Sequence, residues 1–241
     1  MDYRNIGYEI STKKDIPEET RIVAVSDFDW DTSISGMDMN NLAVCINDFV
    51  PKYICLLGNI CTINNLYDEE FRKKYLYFLK LLSCITKTFV VFGNKDYRYN
   101  NETYNINKLL EIYNKEDITI LNNSISSLNN INIAGFNKEI ATYNNIDKAK
   151  NELLKFISDT DQVIDKNKLS VLISNYELNH LKLEKQLLNT FDLVITATKH
   201  KTNNNNENIP GTNIREIIRT GGINKNEICI VKVNKLKETS N

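Results

Sequence analysis

Short apolar runs that stop abruptly at a polar residue constrain this chain more than any other feature. The run at 21–30 reads Arg-Ile-Val-Ala-Val-Ser-Asp-Phe-Asp-Trp and delivers two carboxylates, Asp27 and Asp29, one residue apart. Four further runs end alike, in Gly58-Asn59, in Gly93-Asn94-Lys95-Asp96, in Ser174-Asn175 and in Thr198-Lys199-His200. A near-continuous apolar run of this length is the pattern of a strand buried on both faces, as in a parallel sheet covered by helices. In open sheets of that kind ligands collect beyond the carboxyl ends of the strands. Five strand ends therefore point toward one candidate site.

Helical patterns separate the runs. Met39, Leu42, Ala43 and Ile46 follow the i, i+3, i+4, i+7 spacing of an amphipathic helix, which Pro51 closes. Phe71, Tyr75, Phe78 and Leu82 mark a second long helix, and others are expected near 106–113, over 148–157 and over 178–188. Strands are expected at 22–26, 53–57, 88–92, 170–173 and 192–195, with 214–218 and 227–233 closing the fold and a weak edge strand at 6–10. This alternation predicts parallel pairing with right-handed crossovers. Three short β-like runs, at 118–121, 124–128 and 131–134, predict a second, more antiparallel sheet or an antiparallel sheet edge. The polar stretch 158–168, with Asp159, Asp161 and Asp165, reads as a connector of solvated acids.

At 241 residues the chain fits one large α/β domain over 1–241. A formal net charge of -1, with charges interspersed, lacks the clustered Lys and Arg that sequence-independent nucleic-acid binding needs. The polar start Met-Asp-Tyr-Arg-Asn has no signal-peptide core, and the most hydrophobic segment, 75–92, is interrupted by Lys80 and Lys87. The expectation is a cytoplasmic chain without a membrane anchor. Cys45, Cys55, Cys61, Cys84 and Cys229 are odd in number, contain no C-x-x-C pair and read as reduced core residues. The Asn-rich tract at 203–208 reads as a loop.

Asp, Asn and Ser also end strands for local reasons, because their side chains serve turns and helix caps. One cluster alone therefore defines no site; the order of all five says more. The series Asp27-Phe-Asp29, Gly58-Asn59, Gly93-Asn94-Lys95-Asp96, Ser174-Asn175 and Ala197-Thr198-Lys199-His200 resembles the calcineurin-like metallophosphoesterase family. That family reads D-x-H, G-D, G-N-H-D, a lone H and G-H-x-H in this order. The resemblance runs from about residue 21 to 233 and includes 131–135 and the Arg219-Thr-Gly-Gly segment. It implies a four-layer αββα sandwich with two metals at the strand ends, about 3.5–4 Å apart, that activate a hydroxide for in-line displacement at phosphorus.

Carried over position by position, Asp27, Asn94, Asp96 and His200 match the family pattern. Asp29 stands where a His is expected, Asn59 replaces the bridging Asp, and Lys95 the phosphate-directed His. Asn175 replaces the lone His, and Thr198 the first His of the final motif. A neutral Asn59 supplies no bridging charge to hold two dications against their repulsion. The second metal would be left with amides from Asn59, Asn94 and Asn175 and a hydroxyl from Thr198, neutral oxygens that hold dications weakly. That position is expected to be empty. Asp27, Asp29 and His200 keep a set suited to at most one weakly bound divalent metal, Mn²⁺, Mg²⁺ or Zn²⁺.

Three readings of Lys95 stay open: a counter-ion in place of metal beside Asp27 and Asp29, a phosphate binder with Arg98, or a solvated surface lysine. Asp96 joins Lys95 at the catalytic positions that the resemblance implies, and His180 reads as a surface residue. The expectation is a catalytically impaired or inactive pseudoenzyme that binds a protein partner or a phosphorylated small molecule. The alternative is a hydrolase, a phosphoesterase working with one metal at Asp27, Asp29 and His200.

Overall fold

A computed structural model describes residues 3–17, 19–62, 64–96, 98–99, 102–103, 107–137, 145–176, 178, 181–197, 216–220, 223 and 227–236, with backbone alone at 98–99, 102–103, 107–109 and 216–220. The first half of the chain runs β1 (Arg4–Thr12), β2 (Glu19–Val25), α1 (Gly36–Asp48), β3 (Tyr53–Leu57), α2 (Glu69–Ile85), β4 (Thr88–Val91), β5 (Arg98–Tyr99), β6 (Glu102–Thr103) and α3 (Asn107–Lys115). The second half runs β7 (Thr119–Ile120), β8 (Ser124–Ser127), β9 (Ile131–Phe136), α4 (Ile146–Val163), β10 (Leu169–Ser174), α5 (Glu184–Thr190), β11 (Leu193–Ala197), β12 (Glu216–Thr220) and β13 (Glu227–Lys235).

The strands form two main sheets, ordered β1-β13-β2-β3-β4-β7 and β12-β11-β10-β9-β8. Side-chain alternation sorts their residues into layers. On β2, Ile22 and Ala24 face β10 and β11 through Val171, Ile173, Leu193 and Ile195, so one apolar layer fills the space between the sheets. Val23 and Val25 face the other way, onto Met39 and Ile46 of α1, Phe78 of α2 and Tyr113 of α3. Behind the second sheet, Ala134, Leu172 and Val194 meet Leu153 and Ile157 of α4 and Leu187 of α5. Helices, sheet, sheet, helices: the expected four-layer αββα sandwich is present.

The long helices begin on side chains that satisfy exposed backbone donors. Ser35 accepts the Asp38 N–H ahead of α1, Asp68 accepts the Phe71 N–H ahead of α2, and Asn145 accepts the Lys148 N–H ahead of α4. Glu69 and Glu70 add negative charge to the first turn of α2, where the helix dipole favours it.

Four expectations need correction, the last being that all five cysteines lie in the core. Of the three short runs, β8 and β9 do pair antiparallel at the edge of the second sheet, which is otherwise parallel, whereas the run at 119–120 joins the first sheet beside β4. Short runs do not reveal their partners, and here α4 and α5 supply the crossovers that parallel neighbours require. The supposed connector at 158–168 is helical as far as Val163, because Thr160, only 4% exposed, continues the buried face set by Phe156 and Ile157. The helix expected from 178 starts only at Glu184, since Lys182 adopts φ 52° and interrupts it. Cys84 is exposed and Cys45 half-buried, while Cys55, Cys61 and Cys229 are buried; none of the five is bridged.

Candidate functional site

Past the end of β2 the backbone keeps pairing with the chain that leaves β3. Asp27 N–H donates to the Gly58 carbonyl (3.1 Å), Asp29 N–H to Asn59 (2.9 Å) and Trp30 N–H to Ile60 (2.9 Å). The extension is not a regular strand, because Asp27, Asp29 and Asn59 all lie in the left-handed region, at φ 48°, 51° and 51°. Asp and Asn tolerate this conformation better than other residues with a Cβ. Between the two acids, Phe28 packs edge-on against Trp30 at 4.8 Å, and both rings meet Phe78 of α2. These rings anchor the loop in the core. Asp27 is left buried at the floor and Asp29 at the surface.

The glycines of the next two motifs bring their loops together. Gly58 has φ 68°, and a Cβ there would lie 2.2 Å from the Gly93 nitrogen, so the turns after β3 and β4 touch backbone to backbone. A Cβ on Gly93 would meet Asn59 Oδ1 at 2.3 Å and Asn175 Oδ1 at 2.6 Å. Those two amide oxygens, contributed by different sheets, share the space above Gly93.

Asn59 is the hub of the site. Its Nδ2 donates to Asp27 Oδ1 at 2.7 Å, and its Oδ1 accepts the Lys95 N–H at 3.1 Å. The amide orientation is forced, since the reverse would set oxygen against carboxylate and NH₂ against N–H. Lys95 reaches back to Asp29, with Nζ 2.7 Å from Oδ1; the two side chains are 38% and 30% exposed. Asn175 donates its Nδ2 to the Leu57 carbonyl, and Asn94 is half-buried beside Lys95.

Asp96 is 1% exposed and faces backbone. Its Oδ2 accepts the N–H groups of Asn59 and Gly93, both at 2.7 Å, and its Oδ1 accepts that of Ile60 at 2.9 Å. Burial pushes its pKa up to about 7 against the lowering effect of the N–H donors of Gly93, Ile60, Asn59 and Cys61. Beneath it the hydroxyls of Tyr75 and Tyr113 hydrogen-bond to each other, and burial raises both pKa values well above the ordinary range for tyrosine.

The strand ends thus bring Asp27, Asp29, Asn59, Asn94, Lys95, Asp96 and Asn175 together. His200, Thr198, His180 and the Arg98 side chain lie outside the described residues. Above Asn59 opens a cleft of about 200 Å³, lined by Asp29, Asp31, Asn59, Thr62, Asn65 and Lys95 among others. A larger hollow of about 480 Å³ lies on the outer face of β1, β13 and β2, near Arg21 and Lys232, away from the strand ends. The cleft commands more interest, because it alone of the two contains Asp29, Asn59 and Lys95.

One residue escaped the sequence reading. Asn137, just beyond β9 and 4% exposed, accepts the Phe92 N–H at 3.1 Å and donates to the Leu121 carbonyl and Asn122 Oδ1. It staples the end of the second sheet to the loop of Lys95. The strand-end rule applied to the run at 131–136 would have found it.

These contacts decide whether a dinuclear metal centre fits. At the bridging position Asn59 presents an N–H to Asp27, the opposite of a bridging anion. Asp29 is already met by an ammonium, and Asn175 offers a donor to Leu57. Among the described residues no group of three or more His, Cys, Asp or Glu side chains is placed to hold an ion. The described residues do not fit a metal pair.

No protein-family model matches the sequence, and no curated protein matches it. Solved structures do resemble the fold. A dimetal phosphatase from Danio rerio superposes with a TM-score of 0.54 at 10% identity, over 85% of this chain and 88% of that one. A hypothetical protein from Thermus thermophilus superposes with a TM-score of 0.50 at 10% identity, over 85% of this chain and 76% of the other. With two stacked sheets flanked by helices and its strand ends gathered at one edge, this chain has the fold of the calcineurin-like metallophosphoesterases.

Proposed function

We propose that this chain is a metallophosphoesterase-fold binding protein, a pseudoenzyme whose cleft engages a partner and does not turn over phosphoesters. One observation carries the reading: both carboxylates at the end of β2 are already engaged by protein donors, Asp27 by Asn59 and Asp29 by Lys95. The cleft of about 200 Å³ is smaller than the roughly 300–1,000 Å³ typical of small-molecule sites. Its rim sets two carboxylates, Asp29 and Asp31, against one ammonium, Lys95. That balance disfavours a free phosphate dianion and favours a protein partner presenting hydrogen-bond donors or a cationic side chain. The net charge of -1 gives no basis for nucleic acid as that partner. Five unbridged cysteines suit a cytoplasmic setting, and no helix among the described residues is long and apolar enough to cross a membrane.

The test is hydrolysis of p-nitrophenyl phosphate and bis-p-nitrophenyl phosphate with Mn²⁺, Mg²⁺ or Zn²⁺. The expected rate equals that of Asp27→Ala. Metal-dependent turnover that disappears in both Asp27→Ala and His200→Ala would replace this reading with a one-metal phosphoesterase.

A further inference from the structure

The mismatch between a metal pair and the residues in its place has a positive content. Two cations at strand ends compensate clustered carboxylates and tie together the loops that carry them. Here the same three loops, behind β2, β3 and β4, are tied by side chains. Asn59 joins Asp27 of the first loop to the Lys95 N–H of the third. Lys95 returns across the cleft mouth to Asp29. Asp96 gathers backbone donors from the second and third loops.

We infer that Lys95 and Asn59 stand in for the metals: the ammonium compensates the carboxylates at the end of β2, the amide bridges the loops, and the site keeps its shape without a divalent cation. Lys95 is suited to the role because its compact charge sits on a flexible stem that reaches Asp29 from the neighbouring loop. Asn59 is suited because one planar group donates to a carboxylate and accepts from an N–H at once. A divalent ion approaching Asp29 must displace the ammonium, so the native chain takes up such ions poorly. Removing the ammonium takes away the positive charge that meets Asp29.

The test uses Mn²⁺ alone, titrated calorimetrically and in thermal unfolding with and without EDTA. Wild type is expected to show neither saturable heat at millimolar Mn²⁺ nor an EDTA effect on Tm. Lys95→Met, which keeps the stem and loses the charge, is expected to bind Mn²⁺ at least about tenfold more tightly and to gain a Mn²⁺-dependent rise in Tm. Lys95→Gln serves if Lys95→Met fails to fold. Lys95→Arg should behave as wild type, and Asp29→Asn added to Lys95→Met should cancel the gain. Wild type binding Mn²⁺ as tightly as Lys95→Met overturns the inference, as does a neutral variant with no gain. Mn²⁺ bound by wild type without turnover would sink this inference alone, whereas Mn²⁺-dependent turnover would sink the binding role as well.

Discussion

Replacing Asp96 by alanine would remove a buried side chain that accepts backbone N–H groups from both turns beneath the cleft. In wild type its carboxyl takes the N–H groups of Asn59, Ile60 and Gly93 in a place 1% exposed. Each buried donor left without an acceptor costs roughly 1–3 kcal/mol. Three together set an upper bound of about 9 kcal/mol, and water entering the vacated space recovers part of it, so we expect a loss of about 4 kcal/mol. Asp96→Asn keeps one acceptor oxygen but turns an NH₂ toward a backbone N–H, and should lose about half as much. Urea unfolding near pH 6, below the raised pKa of Asp96, measures both without a buried charge complicating the comparison. A loss under about 1 kcal/mol for the alanine variant would refute the clamp.

The same residue sets a pH dependence of known sign. Between its ordinary value of 3.8 and about 7, Asp96 holds a proton in the native state that the unfolded chain has released. The native state then binds more protons, and stability falls as pH rises across that interval, levelling off above it. Asp96→Asn should flatten this part of the profile. Parallel profiles for variant and wild type would contradict the assignment.

Two further substitutions probe the frame of the site. Gly58→Ala would push a methyl to within 2.2 Å of the Gly93 nitrogen at φ 68°, so we expect a drop in Tm of several degrees or a failure to fold, read by circular dichroism. Asn137→Ala should cost about 2–3 kcal/mol in urea unfolding, because it strips an acceptor from Phe92 and a donor from Leu121; an unchanged midpoint would dismiss the staple between the sheets.

Much of this architecture is legible in the amino-acid order, since apolar runs such as 53–57 admit little besides a buried strand. The run became β3 with its expected limits. Among the described residues, the polar residues that end these runs lie where side chains meet, as the contacts among Asp27, Asn59, Asp29 and Lys95 illustrate. What the order does not disclose is the direction of each interaction. Nothing in the letters Gly-Asn says that the Asn59 amide turns its NH₂ to Asp27 and its oxygen to Lys95; that follows from two loops brought close by Gly58 and Gly93. Asp96 illustrates the same limit. As one letter of a motif it reads as a reactive acid, yet burial and the neighbouring turns make it an acceptor for backbone. The register of the second sheet and the extension of α4 escaped for a different reason: both are decided by long-range packing, which a window of local pattern does not contain.

Strand β13 lies between β1 and β2, parallel to the first and antiparallel to the second, with Arg4 opposite Glu227 and Thr12 opposite Lys235. Two strands that are neighbours in sequence must therefore be held apart, or form apart, until the final strand slots between them. During synthesis from the ribosome β1 waits for β13 until every element between the two has been made. Closing so long a loop is slow, and the two waiting edges meanwhile offer unpaired backbone to any passing strand. Productive folding of this protein is thus a race between insertion of β13 and self-association of the incomplete sheet, and cold, dilute expression or a chaperone would tilt it toward insertion.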